Sequence, residues 1–458
     1  MNQENKLGTM PISRLIWNVS LPIIASMLVQ ALYNIIDSIF VSYISESALA
    51  AVGLTFPTQQ LIIAVAAGTA TGISALMGRA LGAGNQKRAN EVATNGIFLA
   101  LMSGLVFCLV GVFGSHAFFA AQTDVQSIVD QGTIYMTIVC IGSVGICCEI
   151  TYERLLQATG RSILSMCTQG FGTIINLILD PVFIFVLDMG VAGAALATIT
   201  GQIGSALLAV YLNNTKNKEV HISFKGFRPN GKLIRSIYAI GIPSIIMISI
   251  ASVMVFFMNK ILISFHSAKE TAATMFGVYF KVNSFVFMPI FGLNTGIISI
   301  IAYNYGAREK RRMEETIHRS VLYAVIIMTV GTIIFETIPH VLLQMFNATP
   351  TMLAVGIPAL RIIGLSFPMA GAGILLSGAF QAVGKSVYSM IASIVRQLVV
   401  LLPVALVLAL IGRAQGMDDL VWWAFPIAEG VSFIISGCFY FRLHRKIISQ
   451  IDSETALV

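Results

Sequence analysis

Charge is what this chain has least of. Asp, Glu, Lys and Arg make up 11% of its 458 residues, whereas hydrophobic residues make up 56%, and the mean hydropathy is +0.84. A soluble domain carries about 25% charged residues, so a soluble globular protein is excluded. Cysteine and histidine are scarce too, at six each. Cys108, Cys140, Cys147, Cys148, Cys167 and Cys438 all fall in apolar stretches without metal-ligand spacing, which leaves no disulfide framework and no zinc site. They read as small buried hydrophobes. No polar stretch is long enough for a soluble domain. Residues 1–14 are polar, and the first apolar run is too long for a signal peptide and lacks a small-residue cleavage site, so it is expected to stay as a helix.

What the chain has is apolar helix. At roughly 20 residues per crossing, the sequence predicts an all-α integral membrane protein with twelve transmembrane helices. The spans are placed at 15–44, 50–80, 91–118, 126–156, 162–188, 190–213, 235–265, 270–302, 316–342, 351–383, 387–412 and 418–445. Of the 28 Lys and Arg residues, 22 lie at the N-terminal tail, the even-numbered connections and the C-terminal tail. Only Lys269 and Arg413 occupy odd-numbered connections. The positive-inside rule then predicts that both termini are cytoplasmic. The pI near 9.1 follows from these membrane-flanking loops, so no nucleic-acid partner is expected.

The chain repeats itself. Gly68-Thr69-Ala70-Thr71-Gly72 followed by Gly82-Ala83 recurs 224 residues later as Gly292-Leu293-Asn294-Thr295-Gly296 followed by Gly306-Ala307. Gln157-Ala158-Thr159-Gly160 recurs at the same shift as Gln381-Ala382-Val383-Gly384. Six spans per copy return the chain to its starting side, so the copies are parallel repeats related by a pseudo-twofold axis along the membrane normal. The expected organisation is an N-terminal six-helix lobe at 1–213, a cytoplasmic linker at 214–234 and a C-terminal six-helix lobe at 235–458. Gly68 and Gly72 read as close-packing positions, and the Gln-Ala-x-Gly elements as turns or helix C-caps.

The polar residues inside the spans are not repeated. Pro22 pairs with Pro243, which carries Asp37 onto Met258 or Asn259; Pro181 pairs with Pro403, which carries Asp180 onto Leu402 and Asn176 onto Leu398. An intramembrane acid is expensive and marks an ion or proton path. Asn176 and Asp180 share a helical face, and Pro181 removes a donor beside them and frees carbonyls. Carboxylate, amide and carbonyl oxygens suit a hard cation, and a desolvated carboxylate can equally hold a proton.

The Leu21-Pro22 opening, Tyr33-Asn34-Ile35-Ile36-Asp37, Asn176-Leu177-Ile178-Leu179-Asp180-Pro181, Gly193-Ala194-Ala195-Leu196-Ala197-Thr198, Ile301-Ala302-Tyr303-Asn304-Tyr305 and Gln381-Ala382-Val383-Gly384 together resemble the MATE family of multidrug and toxic compound extrusion transporters. The likeness spans nearly the whole chain and is nearest to its bacterial branch. It implies a monomeric, two-lobed antiporter in the bacterial cytoplasmic membrane, without enzymatic activity or cofactor, that expels cationic amphiphiles in exchange for Na⁺ or H⁺. The implied first-lobe cation site, a Na⁺ site if sodium is the driver, falls on Asp37, Asn176, Asp180 and Thr198. In the seventh span, where some members carry acids, this chain has Met258, Asn259 and Lys260.

Three further polar residues have two readings each. Glu153 is either a salt-bridged interfacial acid beside Arg154, with Glu149 one turn earlier as a possible partner, or a proton or substrate group. Glu429 and Arg396 either pair with each other or leave Glu429 to meet a cationic substrate. Tyr33, Phe287 and Met288 are candidates for the wall of a substrate cavity, where aromatic and thioether groups accept dissimilar cations. Two other functions compete. A lipid-linked oligosaccharide flippase of the same superfamily would line its cavity with basic groups, whereas the buried charge of the first lobe is acidic. An intramembrane aspartyl protease needs two facing aspartates, which Asp37 and Asp180 satisfy, but its Gly-x-Gly-Asp signature is absent.

Overall fold

The computed structural model describes residues 5–346 and 348–451, and among them the regular structure is helical. A short α1 (Lys6–Thr9) precedes α2 (Ile12–Ser42), α3 (Glu46–Gly82) and α4 (Gln86–Ala120). The pair α5 (Gln126–Ile141) and α6 (Ser143–Ala158) is followed by α7 (Ser162–Pro181), α8 (Gly190–Lys216), α9 (Gly231–Phe265), α10 (Lys269–Gly306) and α11 (Lys310–Thr337). Next come the short α12 (Pro339–Gln344), the pair α13 (Pro350–Gly364) and α14 (Phe367–Ala382), then α15 (Ser386–Ile394), α16 (Leu402–Gln415) and α17 (Ala424–Leu443). Ten helices, or continuous helical runs, are long and apolar enough to cross a membrane, and the bent pairs α5–α6 and α13–α14 bring the spans to twelve.

The fourth and tenth spans, placed at 126–156 and 351–383, are thus each broken in the middle. The pairs turn by 42° and 50°, and small residues and hydroxyls explain the breaks. Ser143 Oγ donates to Cys140 O at 2.6 Å and to Gly104 O at 2.9 Å, while a Cβ on Gly142 would stand 2.2 Å from Ile199 Cγ2. At the second bend Ser366 Oγ donates to Ile363 O at 2.7 Å, and Thr332 Oγ1 takes Gly364 O at 2.7 Å. Carbonyls so engaged are satisfied outside the helical ladder, which lets the helix bend in an apolar setting.

The chain divides into two compact units. The first comprises Met1–Ile245 with Ala302–Ala307, the second Ile246–Ile301 with Arg308–Val458. The division falls within α9, whose first half packs on α3. A Cβ on Gly72 would lie 2.4 Å from Ile237 O, and one on Gly68 2.8 Å from Ile245 N. Both glycines therefore serve close helix approach, as their spacing predicts. The repeated Gln-Ala-x-Gly elements close α6 and α14 in the same way. Gly160 and Gly384 have φ of +80° and +74°, and Arg161 N reaches Leu156 O and Lys385 N reaches Phe380 O, each at 2.7 Å. These are left-handed glycine C-caps.

Within the first unit the segment between α8 and α9 is tied down by polar contacts. Glu219 Oε2 accepts from Asn5 Nδ2 at 2.6 Å and Oε1 lies 3.8 Å from Arg161 Nη2, while its carbonyl accepts from Gln86 Nε2. Asn90 Oδ1 and Asn95 Oδ1 accept from the backbone of His221 and Asn230 at 2.9 and 3.0 Å. Burial raises the Glu219 pKa above its ordinary 4.5, opposed by Arg161, Asn5 and Lys6.

Candidate cation and substrate site

In α7 the usual amphipathic pattern is turned inside out. Ile163, Phe171, Ile174 and Ile178 are exposed, while the buried stripe is Ser162, Ser165, Thr168, Gly172, Asn176 and Asp180. An apolar outer face suits lipid, and a polar inner face needs partners within the protein. α8 supplies a small-residue face against it: a Cβ on Gly172 or on Gly201 would each stand 2.7 Å from the other's carbonyl oxygen. That close approach brings Thr198 of α8 to Asn176, whose Nδ2 donates to Thr198 Oγ1 at 3.4 Å. Thr198 Oγ1 in turn donates to Ala194 O at 3.0 Å, one turn back on its own helix.

Asp180 is fully buried and Asn176 is 3% exposed. Across from them on α2, Asp37 brings its carboxyl beside that of Asp180. Apart from the contact of the two carboxyls with each other, four oxygens here, Asp37 Oδ1, Asn176 Oδ1 and both carboxyl oxygens of Asp180, are buried without a hydrogen-bond donor among the described residues. Unsatisfied buried acceptors are rare because each forfeits its hydration. Four gathered at one point, all hard oxygens, make a donor set that fits a small cation or a proton. Immediately after Asp180 and Pro181, the backbone loosens into a π-helical turn, Val182–Val186, where Leu187 N reaches back five residues to Val182 O at 2.9 Å. Such turns interrupt the regular ladder.

Two residues join this cluster that sequence reasoning missed. The Tyr135 hydroxyl, on α5, lies within electrostatic reach of both aspartates and accepts from Gln59 Nε2 of α3 at 3.1 Å. Their only sequence signal is a Tyr and a Gln deep in apolar spans. Tyr33, one turn before Asp37, faces Thr198 and both acids. The site therefore draws on α2, α3, α5, α7 and α8.

A second polar group sits farther along α7. Glu153 is 7% exposed, and its Oε1 accepts from Thr168 Oγ1 at 3.1 Å. Arg154 lies within electrostatic reach of Glu153 but donates to Gln157 Oε1 at 3.2 Å, and Gln157 donates to Ser165 Oγ at 2.8 Å. Neighbouring residues on a helix point about 100° apart, so adjacency in sequence does not make Glu153 and Arg154 a contacting pair. Glu149 adjoins Glu153 and Ser205, and the tight Gly172–Gly201 crossing separates this group from Asp37 and Asp180.

In the second unit, Arg396 Nη1 donates to Glu429 Oε1 at 3.1 Å. Phe287 meets Phe367 edge-on at 5.3 Å, and Met288 beside it is half-buried. Among the described residues no group of three or more His, Cys, Asp or Glu is placed to hold a metal ion. The first-unit site has two acids, with an amide and a hydroxyl completing its oxygens.

The sequence profile of a family described as MatE matches residues 22–182 and 243–407, more than half of the chain. The multidrug export protein MepA of Staphylococcus haemolyticus is 25% identical over 429 residues, covering 93% of each chain. Among solved structures, an outward-facing multidrug resistance MATE family transporter of the MOP superfamily superposes with a TM-score of 0.90 at 26% identity, over 99% of each chain. A MOP superfamily transporter from Pyrococcus furiosus, described as having a binding pocket of reverse polarity, gives a TM-score of 0.89 at 26% identity and the same coverage. A repeated helical membrane fold, an unsatisfied acid cluster in its first half and a family match in each half lead to one conclusion: this chain belongs to the MATE family, and is a multi-pass membrane transporter and not an enzyme.

Proposed function

We propose that this protein is a secondary active multidrug efflux antiporter that exports amphipathic organic cations in exchange for inward Na⁺ or H⁺. The observation that carries this reading is the convergence of four donorless oxygens from Asp37, Asn176 and Asp180, with Thr198 at their side. A coupling cation bound there satisfies acceptors that the protein leaves unsatisfied. Because α2 contributes Asp37 and α7 contributes Asp180, loading the site draws two spans together. An ion shifts the conformational equilibrium only as far as its affinities for the two states differ, and linkage requires drug and ion to weaken each other's binding by the same factor. MepA, whose name records multidrug export, supports export of more than one drug.

In this reading the protein works as a monomer in the cytoplasmic membrane of a bacterium, with the Lys-rich segment between α8 and α9 and both termini inside. The decisive measurement is transport of a fluorescent cationic dye in proteoliposomes under separately imposed Na⁺ and pH gradients. Uphill dye movement driven by one of them is the expected result, and dye movement that follows only its own gradient removes the antiport reading. In intact cells carrying the same protein without its native cysteines, a Lys225→Cys variant should resist impermeant thiol reagents. Labelling from outside reverses the orientation.

A further inference from the structure

Glu429 stands apart from the most exposed stripe of its helix. At 100° per residue Ile427, Ile434 and Phe441, the first two 42% and 65% exposed and the last 74%, form one stripe along α17, and Glu429 stands well away from it, on the side of the exposed Phe433. Its partner Arg396 lies within a π-helical turn, Val395–Leu401, between α15 and α16. The pair is joined through a single nitrogen and a single oxygen at 3.1 Å, and 24% of the Arg396 side chain and 18% of the Glu429 side chain remain accessible. Strong Arg–carboxylate pairs are bidentate and closed to their surroundings, and this one is neither.

Its surroundings are aromatic and soft. Tyr279 of α10 has its hydroxyl within electrostatic reach of both charges. Its ring packs on Phe280 and Phe425 with centroids 5.4 and 6.0 Å away, and Phe276 packs on the same two at 4.9 and 5.9 Å. Gly430, next to Glu429, leaves room: a Cβ there would find only Met369 Sδ, at 3.9 Å. Phenyl rings and a thioether beside a carboxylate are the groups that accept a flat or bulky organic cation.

We propose that Glu429 is a second-lobe docking point for the positive group of an exported organic cation, and that Arg396 is a tethered stand-in that occupies the carboxylate until the cation displaces it. This rests on the organic-cation reading above and assigns a different site from the coupling cluster. The physical reason is that an unpaired carboxylate at this depth is costly, whereas a buried ion pair roughly breaks even against apolar packing. The guanidinium keeps the empty site neutral. An incoming cation that brings its own apolar surface exchanges for it while the carboxylate stays compensated.

A stand-in predicts opposite signs for its two members, which a merely structural ion pair does not. Equilibrium binding of tetraphenylphosphonium to the purified full-length protein is the test. Glu429→Gln should weaken binding about tenfold, the loss of one charge-assisted contact. Arg396→Gln should tighten it several-fold by removing the competitor, and Arg396→Lys should leave it within about threefold of the unmodified protein. The double variant Arg396→Gln with Glu429→Gln leaves no unpaired charge, so it stays informative if a single variant fails to fold, and it should bind as weakly as Glu429→Gln. Weakening by Arg396→Gln to the same extent as Glu429→Gln, in proteins with unchanged thermal transitions, overturns the proposal, as does full affinity in Glu429→Gln or the double variant. If the unmodified protein binds no tetraphenylphosphonium, the organic-cation reading itself fails and takes this site with it.

Discussion

In α7 and in the run from α15 to α16 the same backbone device recurs, a proline beside a π-helical turn: Pro181 with Val182–Val186, and Pro403 with Val395–Leu401. Both runs bury a polar stripe at one end, Ser162, Ser165 and Thr168 in α7 and Ser386, Ser389 and Ser393 in α15. Beyond that they diverge. The α7 stripe continues into Asn176 and Asp180, facing Asp37, whereas the other continues into Gln397, Leu401 and Ala405. Beside this run the second unit places instead the self-neutralised pair of Arg396 and Glu429. One architecture, duplicated, thus holds an acid cluster without a basic partner and an acid that carries its own. Hydropathy and turn residues preserve the backbone through such divergence, because the bilayer constrains helices far more tightly than it constrains which residues fill the interior.

The comparison breaks most sharply at the coupling residues. Asp180→Asn should abolish gradient-driven dye efflux, a loss of at least about a hundredfold, because it removes a charge whose loading distinguishes two states. The matching second-lobe change, Leu402→Ala, should leave coupling intact. Transport assays on both variants decide it; a coupled Asp180→Asn protein, or an uncoupled Leu402→Ala protein, erases the asymmetry.

A smaller effect is expected at the α7–α8 crossing. Gly201→Val drives a side chain into Gly172 O and Asn176 Cβ, which stand 2.7 and 3.0 Å from the new Cβ. Overpacking of this kind costs about 1–3 kcal/mol and pushes Asn176 away from Thr198. Gly170→Ala, with nothing within 4 Å of its Cβ, should be neutral or stabilising by up to about 1 kcal/mol through helix propensity. Thermal transitions in detergent should order the variants so, and equal transitions would show that the crossing is slack.

The smallest effect belongs to the segment outside the spans. Since burial raises the Glu219 pKa above the ordinary value, the folded protein binds more protons than the unfolded chain just above that value. Stability therefore falls as pH rises through the folded pKa. Glu219→Gln should remove that dependence and be worth about 0.5 kcal/mol or less, given screening by solvent and the loss of the Arg161 contact. A pH series of thermal transitions tests the sign; a steeper pH dependence in Glu219→Gln refutes the account.

The sequence by itself determined the membrane class, the twelve spans, the duplication and four members of the polar cluster that the structure brings together. An acid, an amide or a hydroxyl in an apolar run is conspicuous against its hydropathy, which is why Asp37, Asn176, Asp180 and Thr198 were legible. The glycine caps at Gly160 and Gly384 were legible for a related reason, since few other residues adopt positive φ readily. Tertiary structure alone decided the rest. Tyr135 comes within reach of the acids, and Gln59 within reach of Tyr135, only through the rotation of α5 and α3, and helix rotation depends on packing that no local pattern encodes. The same holds for Glu153, whose hydrogen bond comes from Thr168 of the next helix, and for Arg396 and Glu429, 33 residues apart. In a membrane interior, hydropathy selects which residues enter the bilayer, and only the set of helix contacts selects which of their polar atoms meet.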